Sequence, residues 1–154
     1  VAEIRDDAHP SRALHLDVRR GFVVPRVSCA PLRSPVVLVS SDSVFADVAA
    51  YIGVSDLLFR RKFVLAGDRY QGSLDKPGVM TLESELNPVE RAWIYVTPTA
   101  IGTVAGPEGG FTLEAVPAGK RRFTAWHPEK GILDREIDVP ASGSAVFDVV
   151  FPGK

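Results

Sequence analysis

A single cysteine, Cys29, stands in a chain of 154 residues, so no disulfide can close within it and no Cys-based zinc or haem motif can form. Histidine is nearly as scarce: His9, His15 and His127 are the only imidazoles, and none lies between the last two. Long apolar runs are missing as well, since none approaches the roughly 18 residues that a membrane-spanning helix needs. Charge of one sign is also missing. With 18 Lys plus Arg against 19 Asp plus Glu, no overall field draws the chain to nucleic acid or anionic lipid. The local clusters Arg19-Arg20, Arg60-Arg61-Lys62 and Lys120-Arg121-Arg122 read as solvated strand ends and turns. Catalytic signatures are absent too: there is no Gly-x-Ser-x-Gly elbow, no Cys/His pair in helical context and no Gly-x-x-x-x-Gly-Lys. Gly106-Pro107-Glu108-Gly109-Gly110 reads as a turn, because no helix follows to aim amides at a phosphate. The scattered Asp and Glu residues single out no glycosidase pair. A non-enzyme without a cofactor is expected.

What is present is the balance of an ordinary folded domain, 45% apolar and 24% charged, on a chain long enough to bury a core without staples. Period-2 alternation marks strands at Ala13 to Val18, Phe22 to Val27, Pro35 to Val39, Lys62 to Ala66, Val79 to Leu82, Ala92 to Val96, Phe111 to Ala115, Arg121 to Trp126, Arg135 to Val139 and Ser144 to Phe151. Turn formers such as Ala66-Gly67-Asp68, Lys76-Pro77-Gly78 and Pro140-Ala141-Ser142-Gly143 separate them. Short strands between frequent turns predict an all-β, immunoglobulin-like sandwich. Val44 to Leu58 is the best helix candidate, with Asp42 or Ser43 as its cap, but Gly53 and Val54 interrupt it. A long loop with one helical turn is expected there. The last four strands are too short a meander to close a core alone and should pack on the first part. The boundaries are set at 1–97 and 98–154.

The stretch PGVMTLESELNPVERAWIYV, Pro77 to Val96, reads as two strands around a polar turn in which Ser84, Asn87 and Glu90 stand at every third position. Taken with Phe22 to Val27, Ser34 to Asp42, Arg91-Ala92-Trp93-Ile94 and Gly110 to His127, this order resembles the small periplasmic cupredoxin-like proteins, plastocyanin-like or methylamine-utilisation-like. The second half is similar to carboxypeptidase regulatory domains. The resemblance implies a Greek-key cupredoxin-like β-sandwich with a C-terminal β-meander packed on it. It also implies a copper site made of a first His, then a Cys-x-x-His-x-x-Met loop. On this chain those positions carry Ala46, Ser84, Asn87 and Glu90, so the soft donors that hold copper in both oxidation states are gone.

Oxygen donors remain at Asp47, Ser84, Asn87 and Glu90, too few for the six or more that calcium takes. The simpler expectation is that Ser84 and Asn87 bond backbone groups in the turn while Glu90 stays solvated. The resemblance therefore implies a metal-free structural or protein-binding module, periplasmic or extracellular, with a leader peptide removed before Val1. It would be an accessory subunit of a larger membrane or electron-transfer complex, not itself spanning the membrane. Its docking surface would lie in the loops Asp42 to Arg61 and Ser84 to Arg91, with Phe45, Asp47, Tyr51, Asn87, Val89, Glu90 and Arg91 as contact residues. Two alternatives are a copper carrier built from histidines and Cys29, and a carbohydrate-binding module using Trp93 or Trp126.

Overall fold

The computed structural model describes residues 1–4, 12–99 and 101–153, and all the regular structure in them is β. Two compact units divide the chain: Pro10–Pro98, and Val1–His9 together with Thr99–Lys154. The first strand therefore belongs with the C-terminal residues, whereas the sequence boundary placed it in the sandwich. The reason is pairing: β1 (Ala2–Ile4) lies between β11 (Ile101–Thr103) and β12 (Gly119–His127), antiparallel to both.

Within Pro10–Pro98 the strands are β2 (Leu14–Arg19), β3 (Phe22–Val24), β4 (Val27–Pro31), β5 (Pro35–Ser40), β6 (Ala46–Ile52), β7 (Asp56–Phe63), β8 (Arg69–Ser73), β9 (Gly78–Ser84) and β10 (Asn87–Thr97). They form a five-stranded sheet in the order β4-β10-β9-β6-β7 and a four-stranded sheet in the order β3-β2-β5-β8. The chain passes between the sheets at β3–β4, β4–β5, β5–β6, β7–β8 and β8–β9, the crossed connectivity of a Greek-key sandwich. One core joins the two inner faces, with Leu16, Val18, Val36 and Leu38 from one sheet against Val48, Leu82, Ile94 and Val96 from the other. Gly72 serves this packing in a specific way. A Cβ there would fall 2.5 Å from the Tyr70 hydroxyl, on a ring stacked at 3.8 Å over Phe59.

Several expected elements are redrawn. The run Phe22 to Val27 is two strands in two sheets, broken at Pro25, which has no N–H to give to a ladder. Val44 to Leu58 is neither helix nor long loop but most of the hairpin β6–β7, turning at Gly53 with a φ of 65°. Residues 46–50 are all buried, so this strand lacks the alternation that would reveal it. The expected strand Lys62 to Ala66 is the end of β7 followed by a loop.

In the other unit, β12 and β13 (Gly131–Val139) make a long hairpin in a sheet ordered β11-β1-β12-β13. The segments expected as strands at 111–115 and 144–151 belong to no sheet. They act as an apolar cover. Phe111, Leu113, Val116, Phe147, Val149 and Phe151 pack against the cluster around Phe123, whose ring meets Phe147 edge-on at 5.0 Å. Ala115 takes a φ of 54°, which breaks the extended run and puts Val116 rather than Ala115 on the core side.

Candidate functional site

Four connections meet at one end of the sandwich: the Arg20-Gly21 turn, residues 41–45, residues 64–68 and the Glu85-Leu86 turn. Backbone bonds tie them. Ser41 N–H donates to the Val18 carbonyl at 3.1 Å, Gly67 N–H to Ser40 at 2.7 Å and Glu85 N–H to Asp47 at 3.0 Å. Two aspartates do the rest. The Asp42 carboxylate accepts Arg20 N–H at 2.8 Å and Val44 N–H at 3.0 Å. Asp68 accepts Val64 N–H at 2.7 Å and Leu65 N–H at 3.0 Å. Ser43 Oγ then accepts Ala66 N–H at 3.2 Å, joining the two loops.

These bonds set the electrostatics. The backbone N–H groups of Arg20, then Val44, hold the Asp42 carboxyl below its ordinary value of 3.8, and those of Leu65, then Val64, do the same for Asp68. Deeper in, Arg60 grips buried Asp47 with both arms, Nε to Oδ1 at 2.9 Å and Nη2 to Oδ2 at 2.7 Å, and also pairs with Glu85. This bidentate bond lowers the Asp47 carboxyl and raises the guanidinium.

The loops so held carry apolar side chains into solvent. Val44, Phe45, Val64, Leu65, Leu86 and Val89 are all exposed, Leu65 at 62% and Val89 at 84%. Register explains their proximity. Ala46 pairs with Phe63, which sets Phe45 and Val44 across from Val64 and Leu65. The Glu85 bond to Asp47 brings Leu86 alongside, and Val89 lies in the bulge where β10 departs from β9 between Asn87 and Arg91. Together they expose several hundred Å², on the order of the largest apolar patch an ordinary monomer leaves in water.

Of the residues expected to meet a partner, Phe45, Asn87, Val89, Glu90 and Arg91 lie at this end, with Arg91 bonded to Glu83 at 3.0 Å. Asp47 is there but buried and engaged by Arg60. Tyr51 is not: it pairs with Leu57 and Thr81 near the far end of β6. Val44, Val64, Leu65 and Leu86, also exposed at this end, were not singled out from the sequence. The signals were Asp42 two residues before Val44 and Asp68 closing Val64-Leu65-Ala66-Gly67, each an aspartate placed to accept nearby amides.

The four positions that would carry copper ligands are only partly together. Ser84 pairs with Val48 and with Asn87, and Ala46 lies two residues along β6 on the face of Val48. Ala46 and Ser84 are buried, while Glu90 is exposed in the bulge. The Ser84 hydroxyl does not hold the turn as expected; its Oγ is buried with no hydrogen-bond partner. A methyl group, one hydroxyl and one amide give no soft donor, so this set does not fit copper. Among the described residues no three His, Cys, Asp or Glu side chains converge on a point. His9 lies outside the described residues; His15 is exposed on β2 and Cys29 half-buried on β4, in different sheets. As for a sugar platform, Trp126 is buried and Trp93 carries the Arg26 guanidinium 5.1 Å over its ring.

No family profile and no curated protein matches this chain. Among solved structures, a purple cupredoxin from Nitrosopumilus maritimus aligns with 55% of this chain and 99% of its own at 18% identity and a TM-score of 0.48. A copper-containing nitrite reductase from Thermus scotoductus aligns with 58% of this chain and 23% of its own at 17% identity and a TM-score of 0.48. Amicyanin from Paracoccus versutus aligns over 62% and 97% at 12% identity and a TM-score of 0.48. These are distant likenesses.

Two outcomes are expected. Ser84→Ala removes a buried hydroxyl that has no partner and should stabilise the protein by about 1–2 kcal/mol in urea unfolding; a loss of stability would show that Oγ is bonded. Because Asp42 and Asp68 titrate lower folded than unfolded, their contribution is complete above 3.8 and is lost as pH falls through the depressed values. The amide resonances of Arg20 and Val44, and those of Val64 and Leu65, should therefore shift with midpoints below pH 3.8. Movement centred at or above that value would refute the anchoring.

Proposed function

We propose that this chain is a non-catalytic protein-binding module that docks through the apolar end of its sandwich. The observation that carries this is the cluster Val44, Phe45, Val64, Leu65, Leu86 and Val89, exposed at an end where Asp42 and Asp68 accept the amides of Val44, Val64 and Leu65. Apolar groups on pre-formed loops lose little entropy on binding, so their burial is available to a partner. The hydrophobic centre with Arg20, Arg61, Glu85 and Glu90 around it has the composition of an interface core and rim. The side chains at this end position backbone and one another, an arrangement suited to recognition. The same reading takes the module to be metal-free, located in the cell envelope, and an accessory subunit of a larger membrane or electron-transfer assembly. What supports the metal-free part is the donor set at Ala46, Ser84, Asn87 and Glu90.

Gentle purification from the native host followed by sizing tests the docking end directly. The wild type should elute in an assembly larger than its own 16.6 kDa. Leu86→Glu and Val89→Glu, both at exposed positions, should return it to that mass with an unchanged melting temperature. A wild type that is monomeric throughout, or variants that keep the assembly, would overturn the reading.

A further inference from the structure

The neighbour that best fits this apolar end is a second copy of the chain, an inference that rests on the docking reading above. We infer that the sandwich self-associates end to end about a twofold axis, burying Phe45, Leu65 and Leu86 of each copy against the other. Three features point that way. The first is charge. The rim holds both signs, Arg20, Arg61 and Lys62 beside Asp42, Glu85 and Glu90, and the whole chain carries a net charge of −1, so two copies approach without mutual repulsion. A rim of one sign would call for an oppositely charged partner; a mixed rim suits its own rotated image, in which cations of one copy meet acids of the other.

The second feature is area. A stable dimer needs about 800 Å² from each partner, and the exposed parts of the six apolar residues alone come to several hundred Å². The third is rigidity. Two of the segments that bear the patch are pinned by carboxylates, Asp42 on Val44 and Asp68 on Val64 and Leu65, and the turn that carries Leu86 is tied by the Glu85 N–H to the Asp47 carbonyl, so each copy presents the same surface. A self-complementary interface requires such sameness, because each contact occurs twice. Tyr51, Val54 and Leu57 at the far end of the β6–β7 hairpin take no part.

The test is sedimentation of the purified chain alone, from about 1 to 200 µM. A species of twice the 16.6 kDa chain mass should appear within that range, and Leu65→Asp should raise its dissociation constant at least tenfold while leaving the circular dichroism spectrum unchanged. Arg61→Glu should weaken it as well, and pairing Arg61→Glu with Glu90→Arg should restore part of the loss. A purified chain that stays monomeric to 200 µM overturns self-association. If the assembly from the native host persists in that case, the docking reading stands with a different partner; if the host protein is monomeric too, both fall. Dimerisation undisturbed by Leu65→Asp would place the contact elsewhere and overturn the inference equally.

Discussion

Two carboxylates accepting four backbone amides decide how one end of this sandwich is built. Loops that cross from one sheet to the other must leave the ladder, and each N–H that leaves needs a new acceptor. Asp42 supplies it for Arg20 and Val44, Asp68 for Val64 and Leu65. With their amides satisfied, these loops need not fold inward, and the apolar side chains they carry remain in water. The anchors and the exposed patch are thus one feature: without the first, the second would collapse onto the sandwich or fray.

Behind the loops a different device operates. Asp47 is buried near the start of β6, which is costly for a charge unless it is paired and bonded. Arg60, on the neighbouring edge strand β7, meets it with two parallel bonds and extends to Glu85 in the β9–β10 turn. One guanidinium therefore ties β7 and β6 to the β9–β10 turn. The Ser84 hydroxyl lies on the opposite, core-facing side of the sheet, across from Val48, and is buried with no hydrogen-bond partner.

Strands β2 and β9 were legible in the sequence because each buries one face and alternates, and β5 and β10 because their runs of Val, Ile, Trp and Tyr mark strand even where consecutive residues are buried. β6 was not, since Ala46 to Ala50 are buried on both faces and an Ala-rich run also satisfies a helical period. The cap read at Asp42 was a real signal with a different sequel: its carboxylate does accept the amide two residues on, but a strand follows rather than a helix. β7 hid because an edge strand guarded by Arg60, Arg61 and Lys62 carries little apolar pattern. At the candidate site, Phe45 and Val89 could be read from loop position. Leu86 lay in the expected loop Ser84 to Arg91 without being singled out, and Leu65 could not be read, because its nearness depends on the register of β6 against β7, which no local pattern encodes.

The account turns on whether the apolar loops are held or loose in the free protein, and amide hydrogen exchange at Val64 and Leu65 measures that most directly. Neither amide belongs to a strand ladder, so any protection comes from the Asp68 carboxylate. Exchange at neutral pH slowed at least tenfold relative to an unstructured peptide, with the slowing abolished in Asp68→Ala, is the result expected of a pre-formed docking surface. Exchange at the unstructured rate in the wild type would mean that the loops are not anchored, and the patch would then be no fixed surface at all.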